Sequence, residues 1–194
     1  MANRALSLLL LAPLLLLSPL AGAQAPVQGA EPYVGQPGKD VIWVPTPPSL
    51  VEKMLDMAAV TPQDLVMDLG SGDGRNIIAA AKRGASAVGV EYDSDLVVLS
   101  RKRAADEGVA ERARFVQGDM YEADVSQATV LALFLLPDNL SKLKPKFEKM
   151  KPGTRIVINA YQIAGWEPKE VGVAGGECAP WCTAYLYVVP ARAD

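Results

Sequence analysis

Three glycines at alternate positions follow a short apolar segment in the N-terminal half of the chain. Gly70, Gly72 and Gly74 come directly after residues 65–69, within the sequence VMDLGSGDGR. Glycine adopts positive φ readily and lets a ligand lie against the backbone. Between a strand and a helix, such a loop also leaves the first N–H groups of the helix open to a ligand. The pattern therefore predicts a ligand-binding turn; the alternative is a turn in which glycine serves only tight packing.

The spacing of these glycines differs from that of a dinucleotide-binding turn. That turn follows the pattern G-x-G-x-x-G and holds a pyrophosphate at the helix N-terminus, whereas this loop has the pattern G-x-G-x-G and is preceded by Asp68. A carboxylate at the mouth of the loop suits an ammonium group and disfavours a pyrophosphate, and Asp73 adds a second negative charge. The residues of this loop that we predict to bind the ligand are Asp68, Gly70, Ser71, Gly72 and Gly74.

Two further acids stand at the ends of the next apolar segments. Glu91 lies about twenty residues beyond the glycines, where a carboxylate can accept hydrogen bonds from both hydroxyls of a ribose. Asp119 can accept a hydrogen bond from an exocyclic amine, and Met120 offers an apolar side chain to a ring. Each acid alone is more often an ordinary strand-end residue. Together with Asp68, and with Tyr92 beside Glu91, they predict a pocket for an adenosine that carries a cationic amino-acid tail.

The segments that carry these residues alternate between strand-like and helix-like patterns. Continuous apolar segments separated by helices predict parallel strands that are buried on both faces. No helix-length segment separates the last strands, so we expect an antiparallel hairpin at the C-terminal end. The predicted fold is α/β: a Rossmann-like, doubly wound, mostly parallel seven-stranded sheet. A ligand of such a sheet binds at the carboxyl ends of the strands, where the strand order reverses.

The same motifs resemble those of the class I S-adenosylmethionine-dependent methyltransferases. VMDLGSGDGR is similar to their first motif, VGVEYD contains the acid of their second strand and VQGDM the acid on the adenine side. More narrowly, WVPTP, DLGSGDGR, ATVLALFLLPDNLSKLKPKF and KPGTRIV resemble the group that includes the lysine methyltransferase of the mitochondrial ATP synthase c-subunit. The resemblance implies S-adenosylmethionine as the cofactor. It also implies transfer of a methyl group to an amine such as a protein lysine.

The acceptor side of the predicted site offers fewer signals. That group usually has Tyr-Leu-Leu-Pro-Glu after the fourth strand, where this chain has FLLPD, ending in Asp138. We predict that Asp138 orients the acceptor; an acid that stabilises the first turn of a helix is an equally good interpretation. Thr46 is expected to close over the methionine end of the cofactor. Trp43 either forms part of an apolar lid or, as the slightly favoured interpretation, packs this segment on the domain, and Tyr161 either lines the acceptor pocket or is a half-buried strand aromatic. The chain contains no histidine, which agrees with an amine acceptor that arrives deprotonated.

The charge and the cysteine content of the chain bear on which partners and metals it could bind. The net charge of −3 gives no reason to expect a nucleic-acid partner. The lysines between residues 142 and 151 are more typical of a solvated helix face than of a binding patch. Cys178 and Cys182, separated by three residues, predict a small structural disulfide in an exported protein. Two thiols without an imidazole disfavour zinc, so no metal is expected.

The N-terminus has the three-part pattern of a secretory signal. Arg4 is followed by an apolar stretch and then by Ala21-Gly22-Ala23. The stretch is short for a membrane span and contains Pro13 and Pro19, which disfavours an uncleaved anchor. We therefore predict a signal peptide at 1–23, a flexible lead-in at 24–41 and a methyltransferase domain at 42–194. The expected location is the periplasm or the exterior, with no stable membrane span after cleavage.

Export leaves alternative functions open, because S-adenosylmethionine is made in the cytosol. One alternative is a methyltransferase for a small-molecule oxygen, sulfur or metalloid acceptor. The other is an exported, non-catalytic binding protein built on a methyltransferase scaffold. The intact glycine loop and the three acids favour genuine cofactor binding over the non-catalytic alternative.

Overall fold

A computed structural model describes residues 31–175 and 182–191 of the chain. Within these ranges, helices and strands alternate through most of the sequence. In chain order the elements are α1 (Pro48–Met57), β1 (Leu65–Leu69), α2 (Arg75–Lys82), β2 (Ser86–Glu91), α3 (Ser94–Asp106), β3 (Ala113–Gln117), β4 (Val130–Leu133), α4 (Pro137–Phe147), β5 (Arg155–Asn159), β6 (Glu170–Val173) and β7 (Thr183–Val188).

The strands form one seven-stranded sheet in the order β3-β2-β1-β4-β5-β7-β6. Strands β1 to β5 are parallel, whereas β7 pairs antiparallel with both β5 and β6. The predicted fold, including the antiparallel hairpin at the C-terminal end, is therefore confirmed. The strand order reverses between β1 and β4, so the predicted ligand site lies at this switch point.

Helices cover both faces of the sheet, because strand residues point alternately to opposite sides. On β4, Ala132 packs in the apolar cluster formed with α1, α2 and α3, whereas its neighbours Leu131 and Leu133 pack in the cluster formed with α4. Burial on both faces explains why the central strands are continuously apolar.

An ion pair and the hydrogen bonds around it join three chain segments at the amino ends of the central strands. Asp64, directly before β1, is buried and pairs with Arg155 at the start of β5. Its carboxylate also accepts hydrogen bonds from the hydroxyl of Thr129 at 2.7 Å and from the backbone N–H of Thr61 at 2.8 Å. We call these four residues the basal clamp, since they lie at the end of the sheet opposite the predicted site.

The described part of the predicted lead-in forms a β-hairpin. The N–H of Gly35 donates to the carbonyl of Trp43 at 2.9 Å, and the N–H of Trp43 donates to the carbonyl of Gln36 at 2.8 Å. Between them, Pro37 and Ile42 form an antiparallel bridge. We call residues 35–43 the N-terminal hairpin.

Several predictions concern segments outside the described residues. The predicted signal peptide at 1–23 and Cys178 both lie there, so export and the disulfide with Cys182 stay predictions. In residues 31–175 and 182–191, no helix has both the length and the apolar character that crossing a membrane requires.

Candidate functional site

A cavity opens at the carboxyl ends of β1 to β4, and the N-terminal hairpin forms one of its walls. The structure brings together in this cavity every predicted cofactor-binding residue except Gly74. The residues that line it are Thr46, Asp68, Gly70, Ser71, Gly72, Glu91, Tyr92, Asp119 and Met120. Residues that are far apart in the sequence thus meet at the switch point of the sheet.

The glycines of the loop have different structural roles. Gly70 and Gly72 adopt positive φ values of 77° and 55° and line the cavity. A side chain at Gly72 would collide with Trp43, since a Cβ atom there would lie 2.7 Å from the indole nitrogen. The predicted lid residue Trp43 therefore covers the loop.

Gly74 lies outside the cavity, at the N-cap of α2. Its φ is 83°, and a Cβ atom there would lie 2.7 Å from the ring of Phe115 and 2.9 Å from Cβ of Ser100. Tight packing, the simpler interpretation of a glycine turn, therefore accounts for this position. Gly74 lets α2 approach the sheet closely and does not line the cavity.

Asp68 lines the cavity and has one buried carboxylate oxygen without a hydrogen-bond partner in the described part of the chain. Its Oδ2 accepts a hydrogen bond from Nδ2 of Asn76 at 3.0 Å, whereas Oδ1 has no partner among the described residues. The side chain is 4% exposed, and this burial raises the pKa of Asp68 well above its ordinary value. An ammonium group at Oδ1 would satisfy the oxygen and stabilise the charged form.

The carboxylate of Glu91 is oriented by the backbone on either side of it. Its Oε2 accepts the N–H of Gly72 at 2.8 Å, and its Oε1 accepts the N–H of Asp93 at 3.0 Å. Each oxygen keeps one lone-pair position after these contacts. The pair of oxygens is therefore available to two neighbouring hydroxyl groups, as the prediction of a ribose site requires.

Asp119 and Met120 form the far end of the cavity. The N–H of Tyr121 donates to Oδ1 of Asp119 at 2.9 Å, and Nζ of Lys39 donates to Oδ2 at 2.5 Å. The hydrogen bond from Lys39 lowers the pKa of Asp119, so the carboxyl is ionised at neutral pH. Met120 is buried, whereas Tyr92, at the same end, is half exposed.

Thr46 is held in place from two sides. Its carbonyl accepts a hydrogen bond from Nη1 of Arg75 at 2.7 Å, and its hydroxyl accepts one from Nδ2 of Asn159 at 3.3 Å. Arg75 is itself fixed by Asp73, through contacts of 2.9 Å from Nε and 2.5 Å from Nη2. Burial alone would raise the pKa of Asp73, but the hydrogen bonds and charges of Arg75 and Arg103 lower it. Asp73 therefore anchors the chain at Thr46, and its charge is neutralised by two arginines.

The acceptor side of the site is only partly assembled by the structure. Phe134 and Leu135, which follow β4, line the cavity, and the ring of Phe134 stacks on Tyr161 with 6.5 Å between ring centres. Asp138 is exposed in the first turn of α4 and does not line the cavity. Its predicted role as the acceptor-orienting residue stays a prediction.

Three polar residues of the site were not identified in the sequence. Asn76 contacts Asp68, Asn159 contacts Thr46, and Arg75 contacts both Asp73 and the Thr46 carbonyl. Arg75 and Asn76 belong to the helix that follows the glycine loop, so a helical register from Gly74 onward would have placed them beside the cavity. No local signal marks Asn159.

Comparison with known proteins places the chain in a family of enzymes. Residues 68–170 match the model described as the ANTKMT methyltransferase domain. The chain is 46% identical over 153 residues to a protein-lysine N-methyltransferase of Saccharolobus islandicus, and the match covers 77% of this chain and 94% of that protein. It is 35% identical over 130 residues to the human lysine N-methyltransferase of the ATP synthase c-subunit, covering 66% of this chain but 55% of the human protein.

Solved structures agree with this placement. A crystal structure described as an RNA methyltransferase from Salinibacter ruber, in complex with S-adenosyl-L-homocysteine, has a TM-score of 0.71 and 42% identity, and the match covers 78% of this chain and 97% of that chain. A methyltransferase from Geobacter sulfurreducens, also bound to S-adenosyl-L-homocysteine, has a TM-score of 0.52 at 24% identity. The match covers 63% of this chain and 52% of that chain, and it supports the fold alone.

The sheet order, the glycine loop and the strand-end acids define a class I S-adenosylmethionine-dependent methyltransferase. The chain belongs to the ANTKMT methyltransferase domain family, and S-adenosylmethionine is its cofactor. The resemblance, the enzyme class and the cofactor predicted from the sequence are thereby confirmed. The cavity fits this cofactor, because Asp68 lines it with a buried oxygen that has no hydrogen-bond partner among the described residues, as an ammonium group requires, and Gly70 and Gly72 line it without side chains.

Proposed function

We propose that this protein transfers a methyl group from S-adenosylmethionine to an amine, with a protein lysine as the preferred acceptor. The observation that carries the acceptor is the 46% identity to a protein-lysine N-methyltransferase along 94% of that protein's length. The absence of histidine from the chain supports an amine. A deprotonated amine attacks without a general base, whereas most hydroxyl acceptors need one.

Each of the strand-end acids binds a different group of the cofactor. When bound, S-adenosylmethionine supplies an electrophilic methyl group on a sulfonium centre. Asp68 binds the ammonium group, Glu91 accepts hydrogen bonds from the ribose hydroxyls, and Asp119 accepts a hydrogen bond from the adenine amine. Thr46, Ser71, Met120 and Tyr92 complete the cavity wall.

The remaining contribution of the chain is to position the acceptor and exclude water. The bond from the neutral acceptor nitrogen to the methyl carbon would form as the carbon–sulfur bond breaks, and the proton released overall is the one that the acceptor ammonium loses to solvent before attack. Phe134, Leu135 and Tyr161 give the acceptor an apolar approach that disfavours its protonated form. Asp138, exposed just beyond these residues, orients the amine as it enters. Such positioning can supply a large part of the acceleration.

We further propose that the mature protein begins after residue 23 and acts outside the cytosol, with Cys178 and Cys182 joined in a disulfide. Mass determination of the purified protein, with and without reduction and alkylation, tests the cleavage and the disulfide. A mass that includes residues 1–23 would contradict cleavage. Two alkylated cysteines without prior reduction would contradict the disulfide.

RNA is the second candidate acceptor, because the Salinibacter structure at 42% identity is described as an RNA methyltransferase. The charge of this chain favours the protein acceptor. The net charge is −3, and Lys144 and Lys146 in the basic stretch donate to backbone carbonyl groups. A small-molecule acceptor and a non-catalytic binding protein are further outcomes that the same experiment distinguishes.

The test begins with calorimetry of the full-length protein. We expect binding of S-adenosylmethionine and S-adenosyl-L-homocysteine, weaker binding of both in Glu91→Ala, and no binding of NADH. Transfer of radioactive methyl from S-adenosylmethionine is then measured to lysine-rich protein, RNA and small amines, thiols and phenols. Label on lysine side chains supports the proposal, and label only on RNA or small molecules contradicts it.

Two further outcomes are informative. Cofactor binding without transfer to any acceptor would favour the non-catalytic binding protein. Full turnover in Asp138→Ala would remove the role proposed for Asp138 without affecting the cofactor assignment. The matched control is Asp124→Ala, because Asp124 is an exposed acid that does not line the cavity.

A further inference from the structure

Lys39 lies in the part of the cavity assigned to the adenine ring. It stands near the tip of the N-terminal hairpin, and its ammonium nitrogen lies 2.5 Å from Oδ2 of Asp119. The same nitrogen lies 4.9 Å from the centre of the Tyr92 ring. A lysine of the chain itself thus contacts both the carboxylate and the aromatic ring at the adenine end of the cavity.

The hairpin fixes the position of this lysine. The N–H of Gly38 donates to the carbonyl of Val41 at 2.9 Å, which closes the turn that presents Lys39. A Cβ atom at Gly38 would lie 2.4 Å from that carbonyl oxygen, so the turn needs glycine. At its other end the hairpin rests on the glycine loop through Trp43 and Gly72. Lys39 therefore reaches Asp119 from an organised segment.

The ammonium group makes the contacts that an adenine would make. It donates a hydrogen bond to Asp119, as an exocyclic amine would, and places a cation near an aromatic ring against which a purine could stack. A hydrogen bond between two charged groups is stronger than one between neutral groups. The hydrogen bond to Asp119 also raises the pKa of Lys39, so the lysine is charged at neutral pH.

We propose that Lys39 is a residue of the cofactor site that competes with the adenine amine for Asp119, so that cofactor binding displaces the ammonium group of Lys39 from that carboxylate. This inference rests on the cofactor placement in the proposed function. Lys39 lowers the affinity of the free enzyme for both S-adenosylmethionine and its product. A lysine that remained in place as a ligand of the bound cofactor would have the opposite effect, so the sign of the change on removing it decides between the two roles.

The experiment compares the affinity of three full-length proteins for S-adenosyl-L-homocysteine by calorimetry. They are the wild type, Lys39→Gln and the matched control Lys102→Gln, which removes an exposed lysine that pairs with Asp106 outside the cavity. We expect Lys39→Gln to bind roughly two- to fivefold more tightly, as suits an ion pair whose side chains remain partly exposed. The control should bind as the wild type does.

Three additional measurements identify the mechanism. Added salt screens the pair between Lys39 and Asp119, so the advantage of Lys39→Gln should shrink as ionic strength rises. S-inosyl-L-homocysteine carries a carbonyl in place of the adenine amine, and it should gain less from Lys39→Gln than S-adenosyl-L-homocysteine does. In an Asp119→Asn background the gain should disappear, because the two substitutions act on one contact.

The outcomes separate this inference from the function on which it rests. Equal binding by the wild type and Lys39→Gln overturns the competition and leaves the cofactor assignment intact. Weaker binding by Lys39→Gln makes Lys39 a ligand and also overturns it. Absence of binding in every variant, with normal thermal unfolding, overturns both proposals.

Discussion

The carboxylate of Glu91 accepts the backbone N–H of Gly72 at 2.8 Å. This hydrogen bond joins the end of β2 to the loop after β1, beside the backbone N–H groups of Gly70 and Ser71, which donate to the carbonyl of Val90. The residue assigned to the ribose therefore also organises the loop that the cofactor contacts. A substitution at Glu91 should affect both functions at once.

We expect Glu91→Ala to weaken S-adenosyl-L-homocysteine binding by about 10- to 100-fold. Losing hydrogen bonds to a charged group costs ~1.5–3 kcal/mol, and the loop also loses its anchor at Gly72. Glu91→Gln should lose less, since its amide oxygen can still accept the Gly72 N–H. Calorimetry measures the affinity of both variants, and Glu111→Ala, which removes an exposed acid, is the control. Equal losses of affinity in the Ala and Gln variants would show that the charge alone matters.

Asp68 should make cofactor binding dependent on pH. Its pKa is raised in the free protein by burial, and an ammonium group bound at Oδ1 favours the ionised carboxylate. Binding should therefore release a proton, and affinity should rise as pH increases from the ordinary aspartate pKa toward the raised one. Calorimetry in buffers of different ionisation enthalpy measures the released proton. Asp68→Asn should bind more weakly and without this proton release.

The same raised pKa has a consequence for the stability of the free protein. The folded state holds the proton of Asp68 more tightly than the unfolded chain does, so the free energy of unfolding decreases as pH rises across this interval. Asp68→Asn removes that dependence. Urea unfolding at several pH values measures it, and equal pH slopes in the wild type and Asp68→Asn would contradict the assigned pKa.

Gly74→Ala should destabilise the fold by about 2–4 kcal/mol, because a side chain at this positive-φ position would also collide with Phe115. Gly108→Ala is a matched control. Its φ of 70° is similar, but nothing lies within 4 Å of the added Cβ, so only the backbone strain of ~1–2 kcal/mol applies. Urea unfolding measures both values. Equal losses would show that close packing under α2 contributes little.

The basal clamp should stabilise the fold without contributing to cofactor binding. Arg155 remains 24% exposed in its pair with Asp64, so we expect Asp64→Ala to cost about 2–3 kcal/mol, less than the ~3–5 kcal/mol of a fully buried pair. Affinity for S-adenosyl-L-homocysteine should not change. A large loss of affinity in the folded variant would show that the two ends of the sheet are coupled.

The pH dependence of the clamp has the opposite sign to that of Asp68. Burial alone would raise the pKa of Asp64, but hydrogen bonds from Thr129 and Thr61 and the charge of Arg155 lower it. Its contribution to stability is therefore present above the ordinary aspartate pKa and lost as pH falls through the lowered value. Acid unfolding of the wild type and Asp64→Ala should converge at low pH.

The strand-end residues could be predicted from the sequence because each follows a regular element. Asp68, Glu91 and Asp119 come at the ends of apolar segments, and a parallel sheet brings such ends together whatever the details of side-chain packing. The glycine loop could also be predicted, because its spacing is visible within a few consecutive residues. The exception is Gly74, whose packing against Phe115 depends on a residue in another strand.

Other features could not be predicted because their partners are distant in the sequence. Asn159 contacts Thr46 across 113 positions, and Lys39 contacts Asp119 across 80. The N-terminal hairpin lies in a Pro- and Gly-rich segment without periodicity, so composition indicated only a linker. Strand β6 was not located, because its four residues at the sheet edge are mostly exposed and give no buried apolar pattern.

The contact between Trp43 and Gly72 gives the protein an intrinsic optical probe. An indole in contact with the cofactor loop, and 5.9 Å from the guanidinium of Arg75, should change its emission when the N-terminal hairpin moves. Trp166 packs against Tyr187 in the apolar cluster around α4, so a Trp166→Phe background would isolate the signal further. With Trp181 also replaced by phenylalanine, Trp43 would be the one remaining tryptophan of the chain, and rapid-mixing fluorescence could time the arrival of the cofactor separately from the transfer of its methyl group.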